Sequence, residues 1–162
     1  MAHYGMTPEE RSALMSRIRG RDTKPELTIR RALHAIGFRF RLHRRDLPGR
    51  PDLVLPRHRA VILVHGCFWH NHGCQLCRMP ATNREFWAEK LEANRARDRR
   101  VVEALAELHW RVLTVWECSI RRSGDGAVAE VITKCVSWLL SDSPAAEIPV
   151  APLLSRVPRE RR

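Results

Sequence analysis

The 162-residue chain reads as one α/β domain, a mixed β-sheet flanked by helices. Three observations predict this. Two capped helical patterns open the chain, at Thr7-Pro8-Glu9-Glu10 and Thr23-Lys24-Pro25-Glu26. Short β-branched runs, "DLVL" and "AVILV", follow without helical period. A long Arg-, Glu- and Ala-rich helical stretch then separates them from another apolar run, "RVLTVWE".

The first helix is expected from Thr7 to about Arg19, and "GRD" breaks it. The second carries apolar Leu27, Leu33 and Ile36 before Gly37 stops it. "FRFRL", residues 38–42, alternates as a half-buried strand does. "LPGRP" makes a turn, and "DLVL" and "AVILVH" form neighbouring buried strands joined by the basic turn "PRHR". Thr82-Asn83-Arg84-Glu85 opens a long helix to about Leu108, and "AVAEVITKCVSWLL" is a last amphipathic helix. From Ser141 the chain is rich in Pro, Ala and Arg. The domain is therefore placed at residues 1–141, with 142–162 expected as a loosely ordered tail. No internal repeat is visible.

Charge narrows the function. Lys plus Arg is 29 against 18 for Asp plus Glu, net +11, which points to a polyanionic partner, nucleic acid above all. No apolar run is long enough to span a bilayer, and "MAHYGMTPEE" lacks the apolar core of a signal peptide. A cytoplasmic protein with reduced thiols is expected. The five cysteines are an odd number clustered with histidine, a pattern that favours metal over disulfides.

The densest chemistry lies in "VHGCFWHNHGC", residues 64–74. Cys67, His72 and Cys74 suit one tetrahedral zinc, with a fourth ligand from elsewhere. Cys118 qualifies if "AVILV" and "RVLTVWE" lie side by side and parallel, because their C-terminal ends then meet. Cys77 competes through its Cys74-x-x-Cys77 spacing, and Cys135 reads as plain core. Asp52, in "GRPDLVL", sits at the mouth of a buried strand, where a carboxylate is costly unless it is paired or binds a cation. It is a partner of Arg50, a turn-stabilising Asp or a Mg²⁺ ligand. His65 caps the next strand at the same edge. An acid, imidazoles and a basic surround suit phosphodiester hydrolysis.

Phe68 and Trp69 fall in the loop between metal-ligand candidates, and Trp87 begins the long helix. Trp110, Trp116, Trp138 and Phe86 fit core positions. Lys90 and Asn94 share a helix face with Trp87 and can reach phosphate or base edges. "RARDRR", residues 95–100, reads as a solvated face that attracts phosphate.

In order along the chain, "RDT…E", "LPGRPDLVL", "HGCFWHNHGC", "PATNREFWAEK", "N…RDRR" and "HWRVLTVWEC" resemble the very-short-patch repair (Vsr) endonucleases of bacteria, over roughly residues 7–140. The resemblance implies a fold similar to restriction endonucleases, with an added structural zinc. It implies Mg²⁺-dependent nicking of double-stranded DNA beside the thymine of a T·G mismatch left by deamination of 5-methylcytosine. Carried over residue by residue, Asp52 and the backbone carbonyl of Val64 hold Mg²⁺, and His65 and His70 are the active-site histidines. His70 activates or orients the water. Glu26 is an acidic residue near the site, besides being the capping-box partner of Thr23. Cys67, His72, Cys74 and Cys118 bind zinc. Phe68, Trp69 and Trp87 form a wedge in the base stack, and Met15, Arg17 and Arg19 form a minor-groove element on the first helix. The lysine that restriction enzymes place after their "PD" aspartate is missing from "AVILVHG", so histidine chemistry substitutes. A monomer associated with the nucleoid is expected, and the family implies mismatch-repair proteins and a cytosine-5 methyltransferase as partners. The rival readings are a zinc-stabilised DNA-binding module without catalysis and a basic RNA-binding protein of the ribosome.

Overall fold

"AVILVH" is apolar on both sides of its alternation because it forms the central strand of a sheet covered on both faces. The structure, a computed structural model, describes Thr7, residues 20–121 and residues 125–149. Helix α1 (Lys24–Ala35) precedes strands β1 (Arg41–Leu42), β2 (Leu53–Leu55) and β3 (Ala60–His65). Helix α2 (Arg84–Glu107) leads to β4 (Arg111–Trp116), the short α3 (Glu117–Ile120), α4 (Asp125–Leu139) and β5 (Ala145–Ile148). The five strands lie in the order β1-β2-β3-β4-β5. β1, β2 and β3 pair antiparallel, whereas β3, β4 and β5 pair parallel.

Alternation sorts the core. Leu53, Leu55, Ile62, Leu113 and Val115 pack with Ile29 and Leu33 of α1 and with Val131, Cys135 and Trp138 of α4. Val54, Val61, Leu63 and Val112 face the opposite way, against Leu105 of α2 and Trp110. Two arginines satisfy carbonyls at helix C-termini, which lack intrahelical partners. Arg59 donates to the carbonyl of Leu108 at 2.9 Å, beyond α2. Arg111 donates to that of Leu139, the last residue of α4, at 3.0 Å and to that of Ser141, beyond it, at 2.6 Å.

The parallel pairing of β3 with β4 through α2 is the arrangement the spacing predicts, and it sets His65 beside Trp116 at one end of the sheet. Several expectations need correction. "FRFRL" yields only the exposed two-residue β1, while Phe38 and Phe40 lie partly buried against the core. The expected loose tail contains a strand: residues 145–148 pair with β4 in register Val112↔Ala145 to Val115↔Ile148. Phe86 is no core residue, being 55% exposed on the first turn of α2, whereas Trp110, Trp116 and Trp138 are buried as expected. Apart from Thr7, the N-terminal helix with Met15, Arg17 and Arg19 lies outside the described residues. Among the described residues, no helix is long and apolar enough to cross a membrane.

Candidate active site and metal centre

The turn "LPGRP" positions Asp52. Gly49 has φ +70°, and a Cβ there would lie 2.4 Å from Val101 of α2, so only glycine lets the turn seat against the helix. Asp52, immediately before β2, then accepts the backbone N–H of Val64 at 2.7 Å. Among the described residues no ion pair links it to Arg50. Burial pushes its carboxyl up to about 6, against the opposing Val64 N–H and the charge of Arg30.

His43 stands behind Asp52, its Nδ1 4.0 Å from Asp52 Oδ1 and its Nε2 3.2 Å from Glu26 Oε1. Glu26 is 2% exposed, is paired with Arg30, and accepts the Thr23 N–H at 3.2 Å. The capping-box role is therefore real, and the same carboxylate reaches the site through His43.

His65 and His70 stack face to face, their ring centres 3.8 Å apart. His70 Nδ1 lies 2.5 Å from Asp98 Oδ2. Burial raises the Asp98 carboxyl, but the His70 bond and nearby positive charge outweigh it and hold Asp98 below the usual carboxylate range. Burial, reinforced by the charge of His70, drives His65 down to about 3, so it stays neutral at physiological pH. Asp52, Val64, His65, His70 and Asp98 line one open cleft of about 1150 Å³, with Arg21, Arg45, Arg50 and Arg97 around it. Sequence reasoning missed His43 and Asp98. Asp98 had a signal, since it falls four residues after Asn94 on the face that starts at Trp87.

Two residues beyond the paired His65 and Trp116 come Cys67 and Cys118, and the backbone N–H of Cys118 lies 3.3 Å from Cys67 Sγ. His72 and Cys74 complete a group whose ligand atoms all lie within 4.8 Å of one another. Cys118 Sγ is 3.6 Å from His72 Nδ1, close to the roughly 3.5 Å edge that bonds of about 2.0–2.3 Å to one tetrahedral zinc require. Three sulfurs and one imidazole thus fit zinc. Cys77 stays outside the group, donating to the carbonyl of Cys67 at 2.9 Å. Burial pushes the Cys67 and Cys118 thiols up. For Cys74, burial is outweighed by the Leu76 N–H and neighbouring sulfurs, and its thiol moves down. His72 also stacks on Trp116 at 4.1 Å, and Trp116 donates its indole N–H to Glu147 of β5 at 3.0 Å.

Phe68, Trp69 and Trp87 gather into one aromatic cluster, with ring centres 5.1–6.1 Å apart. Lys90 lies over Phe86 and Trp87, 5.5 and 5.7 Å from the ring centres. Asn94 donates to the carbonyl of Trp69 at 3.0 Å, so it ties the loop to α2.

A mixed sheet carries an aspartate and a His–Asp pair at one end, facing an arginine-lined cleft in a basic protein, an arrangement suited to a phosphate-bearing polymer. The comparisons with known proteins carry this further. The chain belongs to the Vsr DNA mismatch endonuclease family. The model of that family, described as DNA mismatch endonuclease Vsr, matches residues 5–76. The type II nicking enzyme V.XorIIP of Xanthomonas oryzae is 51% identical over 74% of this chain and 88% of its own length. The DNA mismatch endonuclease Vsr of Escherichia coli is 44% identical over 85% of this chain and 88% of its own.

Proposed function

We propose that this protein is a Mg²⁺-dependent DNA mismatch endonuclease that nicks one strand beside the thymine of a T·G pair, on a restriction-endonuclease-like fold stabilised by zinc. The observation that carries the reading is the convergence of Asp52, Val64, His65, His70 and Asp98 on one arginine-lined cleft. A DNA-binding module without catalysis has no need of an open cleft that gathers a half-buried carboxylate with a His–Asp pair.

Asp52 and the Val64 carbonyl suit Mg²⁺, which takes oxygen ligands and usually one or two carboxylates beside waters and phosphates. An extended residue directs its N–H and C=O to the same side. The Val64 carbonyl therefore faces the side on which its N–H meets Asp52. Bound there, Mg²⁺ supplies charge neutralisation on the phosphate and eases deprotonation of the attacking water. Asp98 accepts from His70 Nδ1, which fixes the tautomer and leaves Nε2 to take a proton from that water. Neutral His65 packs on the His70 ring without competing for charge. Arginines around the cleft hold the DNA backbone, a contribution shared by all sequences. The Phe68, Trp69 and Trp87 cluster enters the base stack, where a T·G wobble resists less than a T·A pair. The test is a duplex carrying one T·G pair, labelled separately on each strand. The T strand alone is cut in wild type, and neither strand is cut by His70→Ala. Cutting of both strands, or of none, removes the proposal.

A further inference from the structure

Beside the proposed zinc ligands lies a cysteine that the metal reading leaves unused. Cys74 and Cys77 face each other across a turn closed by the Cys77 N–H on the Cys74 carbonyl at 3.0 Å. Their sulfurs are 4.0 Å apart. Such a turn brings its end Cα atoms within about 7 Å, so only a small movement is needed to reach the span of a disulfide. Each sulfur also accepts a backbone N–H, Leu76 on Cys74 at 3.4 Å and Gly73 on Cys77 at 3.3 Å. Both residues are partly exposed, unlike Cys67 and Cys135, which are fully buried.

We propose that Cys74 and Cys77 form an oxidation site, where a peroxide joins them in a disulfide and strips one ligand from the zinc. The inference rests on the zinc reading given above. Peroxide converts the Cys77 thiol to a sulfenic acid, releasing water. The Cys74 sulfur then attacks Cys77 Sγ. The S–S bond forms, the S–O bond breaks, and the oxygen leaves as hydroxide and takes up a proton. Two electrons pass from the two sulfurs to the peroxide. Zinc is left with Cys67, His72 and Cys118, and a three-ligand site holds it less tightly. A dithiol reductant reverses the change. Without Cys77, the first oxidation must fall on a member of the quartet.

The experiment uses the full chain with its zinc content measured first. Wild type, Cys77→Ser and Cys77→Ala are treated with hydrogen peroxide while a chromogenic chelator reports zinc release. Peptide mass spectrometry maps the disulfides. Serine can keep the hydrogen bonds of Cys77 to Cys67 and Gly73, so this variant is expected to hold one zinc and to nick normally. The expected result is a Cys74–Cys77 disulfide in wild type, with zinc released roughly tenfold faster than from either variant. Dithiothreitol with added zinc restores the metal. Equal release rates, or a first disulfide between other cysteines, overturn the proposal. Absence of zinc before oxidation rejects the zinc reading instead, and the disulfide map still decides whether the pair is reactive.

Discussion

Replacing Asp52 by Asn should abolish nicking and, without divalent metal, make the protein more stable. A carboxyl moved from 3.8 to about 6 is disfavoured in its charged form by roughly 3 kcal/mol, at about 1.4 kcal/mol per pH unit. Asn keeps an oxygen for the Val64 N–H and sheds the charge. The side chain is 19% exposed, and water moderates the penalty, so a gain of about 1–3 kcal/mol is expected at pH 8. The sign follows from proton linkage. The folded protein holds this proton more tightly than the unfolded chain. The wild type therefore loses stability as pH rises from about 4 through about 6, and then levels off. The Asn variant lacks that fall, and the two converge near pH 4. Added Mg²⁺ should stabilise only the wild type and narrow the gap at pH 8. Urea unfolding at both pH values, with zinc retained and with and without Mg²⁺, measures all of this. An Asn variant less stable than wild type at pH 8, or one that still nicks, would refute the reasoning.

Three further outcomes are expected. Cys118→Ser should lose zinc and melt roughly 10 °C lower, from a deficit of about 3 kcal/mol, while Cys77→Ser melts like wild type; equal melting of the Cys118 variant and wild type would reject the ligand set. Asp98→Asn should lower single-turnover nicking about 10²-fold or more with unchanged DNA affinity, because the His70 tautomer is no longer fixed; a matching loss of affinity would make Asp98 a binding residue. Trp69→Ala or Trp87→Ala should reduce the preference for T·G over T·A about tenfold while the salt slope of binding stays constant; a changed slope with intact preference would make these rings supports for the basic surface.

The sheet end was legible because its logic is one of register. Parallel β3 and β4 follow from two apolar runs joined by a long helix, and that pairing brings Cys118 to Cys67. Cys74-x-x-Cys77 spacing alone left Cys77 as a competitor. Asp98 was hidden in "RARDRR", since a charged run looks solvated until the helix is placed against the His70 loop. Phe86 misled because an aromatic at a helix start can face either way, and here it faces solvent beside Lys90. β5 was missed because "AAEI" carries little strand propensity. Its pairing comes from β4, which offers a free edge, and from Glu147, which meets the Trp116 indole. His43 had no motif to mark it and acquires its place only when α1 and β2 come together.

Single-turnover nicking of matched T·G and T·A duplexes across a Mg²⁺ titration tests the central claim most directly. The account predicts cutting of the T strand at T·G, none at T·A, and none at either duplex without Mg²⁺. Equal cutting of the two duplexes, or full cutting with Mg²⁺ removed, would contradict it.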